Sequence, residues 1–503
     1  VPVNPRRYRA PVEDGSVLAD PPFAQAGAIL AANQSLLKDA SIHIDGVPLP
    51  DFRRQAREEA VALAQQYLSQ CGESSPSVTA ATGLLLSGHQ PEFFHPGVWV
   101  KNFALNGLAR RHGLVPLNLI ADNDAAKSTS LRFPVLGDAD AVHLRSIAFD
   151  RFDGQAPYEE RRVQDESLFR SFVERSERIW HHWNFTPMLP EVWSDVLHHY
   201  QRTPLLGESF AAARRSWERR WGCHNLELPL SRLCDSEAFA RFVRHLLHNL
   251  PRFHAIYNES LREYRRLHGV RDRSRPVPDL GREGDRFEIP FWALRPGEKR
   301  RERLALRPGE TVPSGVRLRT RALMTTLFAR VCLGDGFIHG IGGGKYDEVT
   351  DAIIERWLGL TPPRFFVLTA TLRLPLPAFP TRRNDVRVVA RGVRDLVWNP
   401  QRHLAADALI NPSVRELVME KESQIVEKPQ GRKERRARYQ SLKWITERLR
   451  PWVGEQVGAA QAEFHRRAAE WSANRKLLRR DFAWCLFPHD MLSSFCRRFL
   501  ELV

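Results

Sequence analysis

The sequence predicts an α/β fold: an open, mostly parallel sheet, with a helical insertion and a C-terminal antiparallel helical hairpin or coiled coil. Three observations predict it. The stretch "TGLLLSGHQPEFFHPGVWVKNFALNGLARRHGLVPLNLIADND" reads as strand Leu84–Leu86, helix Val98–His112 closed by Gly113, and strand Val115–Ala121. Later, "GFIHGIGGGKYDEVTDAIIERWLGLTPPRFFVLTATL" repeats that order, with strand Phe337–Gly340, a Gly-rich loop, helix Asp347–Leu358 stopped by Gly359, and strand Phe365–Thr369. Beyond Asn411-Pro412 the pattern turns to long helices broken by "PQGRKERR", and two helices meeting at such a turn should lie antiparallel.

Taken in order, residues 1–75 form an arm with helices at Pro22–Lys38 and Asp51–Cys71, the second entered through an aspartate in cap position. Residues 76–160 hold the first half of the core. Residues 161–285 form a helix-rich insertion containing Trp180, Trp183, Trp193, Trp217 and Trp221, which at helical spacing read as core, and "CHNLELPLSRL" as a strand break. Residues 286–410 are the second half of the core, opening with two short strands in "RFEIPFWALRPGEKRRERLAL". The hairpin spans 411–480, and 481–503 fold back as a tail on the core.

A chain of 503 residues with 43% apolar content can build two or three packed units. No run approaches the roughly 18 apolar residues of a membrane span, and the first residues lack an apolar signal core, so the expected location is cytoplasmic, with no membrane partner. Six scattered cysteines without C-x-x-C pairs read as reduced, mostly buried thiols. The net charge of +16 favours anionic partners, and 411–480 supplies about half of it, with 17 basic against 9 acidic residues.

Three turns carry candidate chemistry. In Ser87-Gly88-His89-Gln90-Pro91, Gly88 permits a tight turn at the strand's end, where His89 either donates to a phosphate or acts as acid or base, or else merely bonds a neighbouring carbonyl. Gln90 shares the turn, and Lys101 follows on the helix, facing either a ligand or solvent. In "IADNDAAKST", Asp122, Asn123 and Asp124 follow a strand's carboxyl end, serving as a base, a substrate or magnesium contact, or an Asx turn. In "FIHGIGGGKYDE", His339, Gly340, Gly342, Gly343, Gly344 and Lys345 make a candidate anion cradle at a helix start, the alternative being close strand–helix packing. This segment matches neither the P-loop nor G-x-G-x-x-G. Arg317, Arg319 and Arg321 alternate along "RLRTRAL", either gripping an anion or forming surface ion pairs.

In these segments the chain resembles the cysteine-adding enzyme family of bacillithiol biosynthesis, and more loosely the nucleotidylyltransferase-like superfamily. "SGHQPEFFHPGVWVKNFAL" resembles that family's Gly-Gln-Gln-Pro-type turn and helix, with His89 at the first glutamine; "LIADNDAAKS" resembles its acidic motif. "FIHGIGGGKYDEVTDAI" sits where the family has Gly-Gly-Pro-Gly-Glu, with Lys345 for proline, and "CLFPHDMLSSF" resembles its C-terminal Leu-Pro motif. The resemblance implies a Rossmann-like core with a long antiparallel coiled coil.

It also implies an enzyme of the ligase or nucleotidyl-transfer class, joining an amine-bearing and a carboxyl-bearing molecule or activating one of them. On this expectation His89, Asp122 and Asp124 are catalytic, and Gly88, Gln90, Lys101 and the 339–345 segment bind ATP or another nucleotide, with Mg2+ a candidate companion. The substrate class is an anionic or amino-sugar-like metabolite, and a homodimer through the hairpin is a further expected partner. Two alternatives rank behind: a nucleic-acid-binding protein using the basic hairpin around Arg432–Arg438 and Arg475–Arg480, and a non-catalytic partner-binding protein. The aromatic residues read as buried rather than interleaved with the basic clusters, which counts against nucleic acid.

Overall fold

The computed structural model describes residues 8–74, 78, 82–154, 156–295, 297–298 and 300–501. The chain divides into two units: one of Val1–Phe133, Ser146–Pro375 and Arg480–Val503, the other of Pro134–Arg145 and Leu376–Arg479. The core is therefore left at Pro375, not at the expected residue 410. Helix Arg383–Trp398, which the sequence analysis placed in the second half of the core, belongs to the helical unit.

A six-stranded sheet organises the first unit. Its strands are β1 (Val17–Asp20), β2 (Leu84–His89), β3 (Val115–Ile120), β4 (Leu226–Pro229), β5 (Gly336–His339) and β6 (Phe366–Ala370), in spatial order β1-β6-β5-β2-β3-β4. All neighbours run parallel except β1, which closes the edge antiparallel to β6. Helix α1 (Pro96–Arg111) joins β2 to β3, and helix α2 (Ile341–Ile353) joins β5 towards β6. The sheet thus grows one way from β2 and the other way from β5. Because crossovers of this type are right-handed, such a reversal sends the two connecting helices to opposite faces.

The packing agrees. Val349 and Ile353 of α2 share one core with Leu84, Leu86, Leu117 and Leu119, whereas Trp99 of α1 packs against Trp221 and Trp484, with ring centroids 5.1 and 4.2 Å away. Trp180, Trp183, Trp193, Trp217 and Trp221 are all buried, as expected of core residues. The six cysteines are free, all buried except the half-buried Cys71.

Glu227 on β4 is fully buried and held by charge. Its carboxylate accepts from Asn118 on β3 at 2.8 Å, from Arg214 at 2.5 Å and from Arg215 at 2.7 Å. Arg214 also reaches Glu218, which in turn accepts from Trp99 and Asn102 of α1. Sheet, helix Leu206–Arg220 and α1 are thereby tied by one network of satisfied charges.

The second unit consists of four main helices: α3 (Arg383–Trp398), α4 (Pro412–Val426), α5 (Arg432–Leu449) and α6 (Gly454–Leu477). The expected hairpin exists as α4 against α5, pinned by Val414, Ile445 and Leu449 and by Lys421 donating to Thr446 at 2.7 Å. The long C-terminal helix α6 departs from expectation and lies antiparallel to α3. Asn474 bonds the backbone of Phe379 at one end, and Arg450, just before α6, donates to the Val397 carbonyl at the other. Pro451 and Gly454 mark the corner between α5 and α6. No described helix is long and apolar enough to cross a membrane.

Glu227→Gln takes from two buried guanidinium groups the carboxylate they share, leaving Arg214 with Glu218 and Arg215 with Glu73, and breaking a buried pair costs about 3–5 kcal/mol. A fall of that size in unfolding free energy by denaturant titration is expected. Despite burial, which raises it, Arg214 and Arg215 hold the Glu227 carboxyl down at about 2. The stabilisation is thus complete above about pH 4.5 and is lost as pH falls towards 2.

Candidate functional site

The carboxyl ends of β2 and β5 are adjacent, and where the strand order reverses between them the sheet opens into a cavity of about 410 Å3. This is the position at which open α/β sheets receive ligands. Two helices begin there. Pro96 opens α1 at the position where its missing N–H is no loss, and His95 stands extended before it. Gly340 caps α2, whose first turn contains Gly342 and Gly343. The expected Gly-rich loop is therefore already helix: α2 follows the strand end with only Gly340 between, and starts six residues before the expected Asp347.

The glycines separate into two kinds. A Cβ on Gly343 would lie 2.6 Å from the His339 ring, and one on Gly344 would lie 2.4 Å from Val367, so both serve packing. At Gly340 and Gly342 a Cβ would meet nothing within 4 Å, and both border the cavity. Here the open space belongs to the crevice rather than to a neighbour. Lys345 is exposed on α2 and does not line the cavity.

The positive charge comes instead from Lys101, Arg301, Arg321 and Arg480, all on the wall. Lys101 is buried and donates to the Gly88 carbonyl at 3.0 Å, and burial pulls its ammonium down to about 8. Arg480 is fastened to the end of β6 through Nη1 donating to the Ala370 carbonyl at 3.2 Å and Nη2 to Thr369 at 3.1 Å, and Nη2 also faces His95 Nε2 at 3.4 Å. Arg321 lies 2.8 Å from Glu288, yet its buried Nε has no hydrogen-bond partner. Arg301 and Arg321 lie 5.1 and 4.2 Å from the centre of the Trp292 ring.

His89 ends β2, with Nδ1 3.3 Å from the Gln90 carbonyl and its ring edge-on to Phe94. Burial, and then Lys101, pull its imidazole down to about 3, while burial and Arg480 pull His95 to about 4. Both rings are neutral at physiological pH. They suit hydrogen-bond donation better than proton storage. His95 Nδ1 is buried without a partner. His339 borders the cavity, and its Nε2 is fixed at 2.9 Å by Asp347, whose carboxyl, despite burial, Arg330 and His339 hold well below the usual range.

The acids after β3 diverge. Asp124 lines the cavity, accepting from Gln90 at 2.8 Å and from Arg301 at 3.2 Å, with the Ala125 amide closing a local turn. Asn123 donates to the Thr320 carbonyl at 3.0 Å. Asp122 points elsewhere: its carboxylate takes the Ser231 amide at 2.9 Å and the Ser231 hydroxyl, beside a smaller cavity shared with Glu159 and Arg319. Burial raises Asp122 to about 6 and Glu159 to about 7. Arg319 is buried between Glu159 and Asp235, and Arg317 pairs with Glu160.

Of the expected residues, Gly88, His89, Gln90, Lys101, Asp124, His339, Gly340, Gly342 and Gly343 meet around this cavity, whereas Asp122, Gly344 and Lys345 do not line it. His95, Trp292, Arg301 and Arg480 are additions. His95 had a local signal in "HPG" at a helix start, but Arg301 lay in a stretch read as two short strands around a turn, and Arg480 at the end of the basic hairpin. Among the described residues no group of three His, Cys, Asp or Glu forms a metal cage. Magnesium held by one carboxylate and a ligand's phosphates needs none, and Asp124 is the carboxylate in place. Comparison of the sequence with models of protein families and with curated proteins found no match to either.

The two kinds of glycine make separable predictions. Gly342→Ala should leave the melting temperature unchanged or slightly raised, since alanine favours helix, while filling space over the cavity. Gly97→Ala, whose Cβ would sit 1.9 Å from the Ala370 carbonyl oxygen, should cost about 1–3 kcal/mol or more through overpacking, read as a lower denaturation midpoint.

Proposed function

We propose that the first unit is an enzyme that binds a nucleotide or similarly phosphorylated metabolite in this cavity and carries out nucleotidyl transfer or a ligation driven by it. One observation carries the reading: the starts of two helices and four cationic side chains border a single cavity at the reversal of strand order. A Rossmann-like description of the core is supported by the same strand order, and a coiled-coil description of the hairpin by the antiparallel pairing of α4 with α5.

The residues fit an anionic ligand. Space is open over Gly340 and Gly342, where the first amides of α2 have no partner within their own helix. His95 Nδ1 and Arg321 Nε are further donors to spare. A carboxylate or phosphate oxygen of the acceptor would attack the α-phosphorus, the bond to pyrophosphate would break, and pyrophosphate would leave carrying its negative charge. In a ligation, an amine would then attack the activated carbonyl carbon, give up its proton, and displace the nucleoside monophosphate. Lys101, Arg301, Arg321 and Arg480 would hold the phosphates in line and stabilise charge on the oxygens, the principal protein contribution in phosphoryl chemistry. His89 and His95 would donate hydrogen bonds, and Gln90 with Asp124 would orient the acceptor.

The test is stabilisation of the purified chain by ATP, CTP, ADP or pyrophosphate with and without Mg2+, followed by pyrophosphate or phosphate release with amine- and carboxyl-bearing acceptors. A nucleotide should raise the melting temperature of the native protein but not of Lys101→Met or Arg480→Gln. Absence of any nucleotide- or pyrophosphate-dependent shift would remove the proposal.

The buried Lys101 adds a pH dependence. It is charged below about pH 8 and neutral above, so affinity for the anion should be greatest below about pH 7 and decline as pH rises through 8. Calorimetric titrations across this range should show that decline in the native protein and a flatter profile in Lys101→Met.

A further inference from the structure

The helical unit has its own charge problem. Pro134–Arg145 and Leu376–Arg479 contain 23 basic residues against 14 acidic ones, more than half of the chain's net charge of +16. On α3, Arg383, Arg387, Arg391 and Arg394 recur every three or four residues and are all exposed. This spacing places them on one face, about 6 Å apart along the axis for each four-residue step. The two acids of α3 neutralise none of them: Asp385 caps the helix through the Arg382 amide, and Asp395 is taken by Asn399, Arg402 and His403. Among the described residues none of these four arginines has an ion-pair partner. Most charged helix faces in a folded chain lace their charges into pairs, and this one leaves four like charges facing water.

The stripe continues into an aromatic ring. Trp398 lies four residues beyond Arg394 and is 44% exposed, with the Arg450 guanidinium 5.7 Å from its ring centre. The helical unit also exposes Tyr439 (59%), Trp444 (48%) and Trp452 (45%), with Arg448 over Trp444 at 4.3 Å. These residues overturn the expectation that the aromatics are buried away from the basic clusters. Three exposed tryptophans and a tyrosine on a strongly basic surface are costly for solubility and supply flat faces for stacking.

We propose that the helical unit binds single-stranded nucleic acid, with the α3 arginines along the phosphates and Trp398 stacked on a base. Regular cations favour a regular polyanion over a compact one, and exposed rings favour unpaired bases, which present their faces, over duplex bases, which do not. A membrane surface fits less well. An interfacial helix needs a free apolar face, whereas α3 packs against α6, with Val386, Val389, Val393 and Val397 half-buried and Val388 the one exposed valine.

The experiment is fluorescence anisotropy of the full chain with labelled single strands of about 20 nucleotides, longer than one binding site. RNA and DNA strands, the matching duplex and phosphatidylserine–phosphatidylcholine vesicles are compared over a salt series. Single strands should bind more tightly than duplex or vesicles, and preference between the RNA and DNA arms identifies the natural ligand. Arg387→Gln combined with Arg391→Gln should reduce the steepness of the log–log salt dependence by about 1.4, roughly 0.7 per lost phosphate contact. Trp398→Ala should weaken binding roughly tenfold with the steepness unchanged, the signature of a lost stack. All three side chains are exposed, so unchanged circular dichroism is expected in each variant. Binding of both variants equal to the native protein, equal or tighter binding to duplex or vesicles, or no binding at low salt would each overturn the assignment.

Discussion

The cavity of the first unit concentrates positive charge where little negative charge answers it. Lys101, Arg301, Arg321 and Arg480 border one space with the starts of two helices, and of these Arg301 and Arg321 have a carboxylate beside them, Asp124 and Glu288. Like charges so placed destabilise a fold unless a ligand's charge completes the set. Much of the surrounding architecture reads as a means of tolerating that arrangement. Lys101 is anchored to the Gly88 carbonyl, Arg480 to the last residues of β6, and Arg301 to the Asn123 carbonyl. Lys101 and Arg480 are held by neutral oxygens and so keep most of their field for the space beyond, whereas Arg301 and Arg321 each have one carboxylate, Asp124 and Glu288, beside them.

Burial does the complementary work on the histidines. A protonated His89 or His95 would add to the repulsion, and desolvation beside Lys101 and Arg480 keeps both rings neutral. His339 is restrained differently, by an ion-paired aspartate below it, and its ring fills the space that Gly343 leaves. Burial thus lowers all three histidines in the cavity, and His339 alone has a carboxylate, Asp347, bonded to it and pulling the other way.

The sequence was most informative where local pattern and tertiary role coincide. The β2–α1–β3 stretch is apolar, then helical, then apolar, and its polar turn falls at the strand ends, so both the elements and His89, Gln90 and Lys101 were legible together. The β5–α2 stretch was read with its helix too short, because glycines depress helix propensity while tertiary packing against His339 and Val367 rewards them. Asp122 and Asp124 were indistinguishable in sequence, since only the position of Ser231 on a distant helix decides that one turns away. Arg480 and Arg301 were out of reach for the same reason: a residue whose partner is more than a hundred positions away carries no local mark. The pairing of α3 with α6 was missed because the helix before Asn411 lay in a segment read as core.

The two units pose the same electrostatic question and answer it in different geometries. In the first, the cations are enclosed and few, their spacing set by strand ends, which suits a compact anion of nucleotide size. In the second, the arginines are exposed and periodic, their spacing set by the helical repeat, which suits an extended one. Dielectric surroundings sharpen the contrast. A buried cation such as Lys101 interacts strongly with one partner and weakly depends on salt, whereas the α3 arginines stand in solvent, where screening makes any binding steeply dependent on ionic strength. Salt dependence is therefore the property that separates the two proposed anion-binding surfaces: ligand binding in the cavity should persist at ionic strengths that abolish binding along α3.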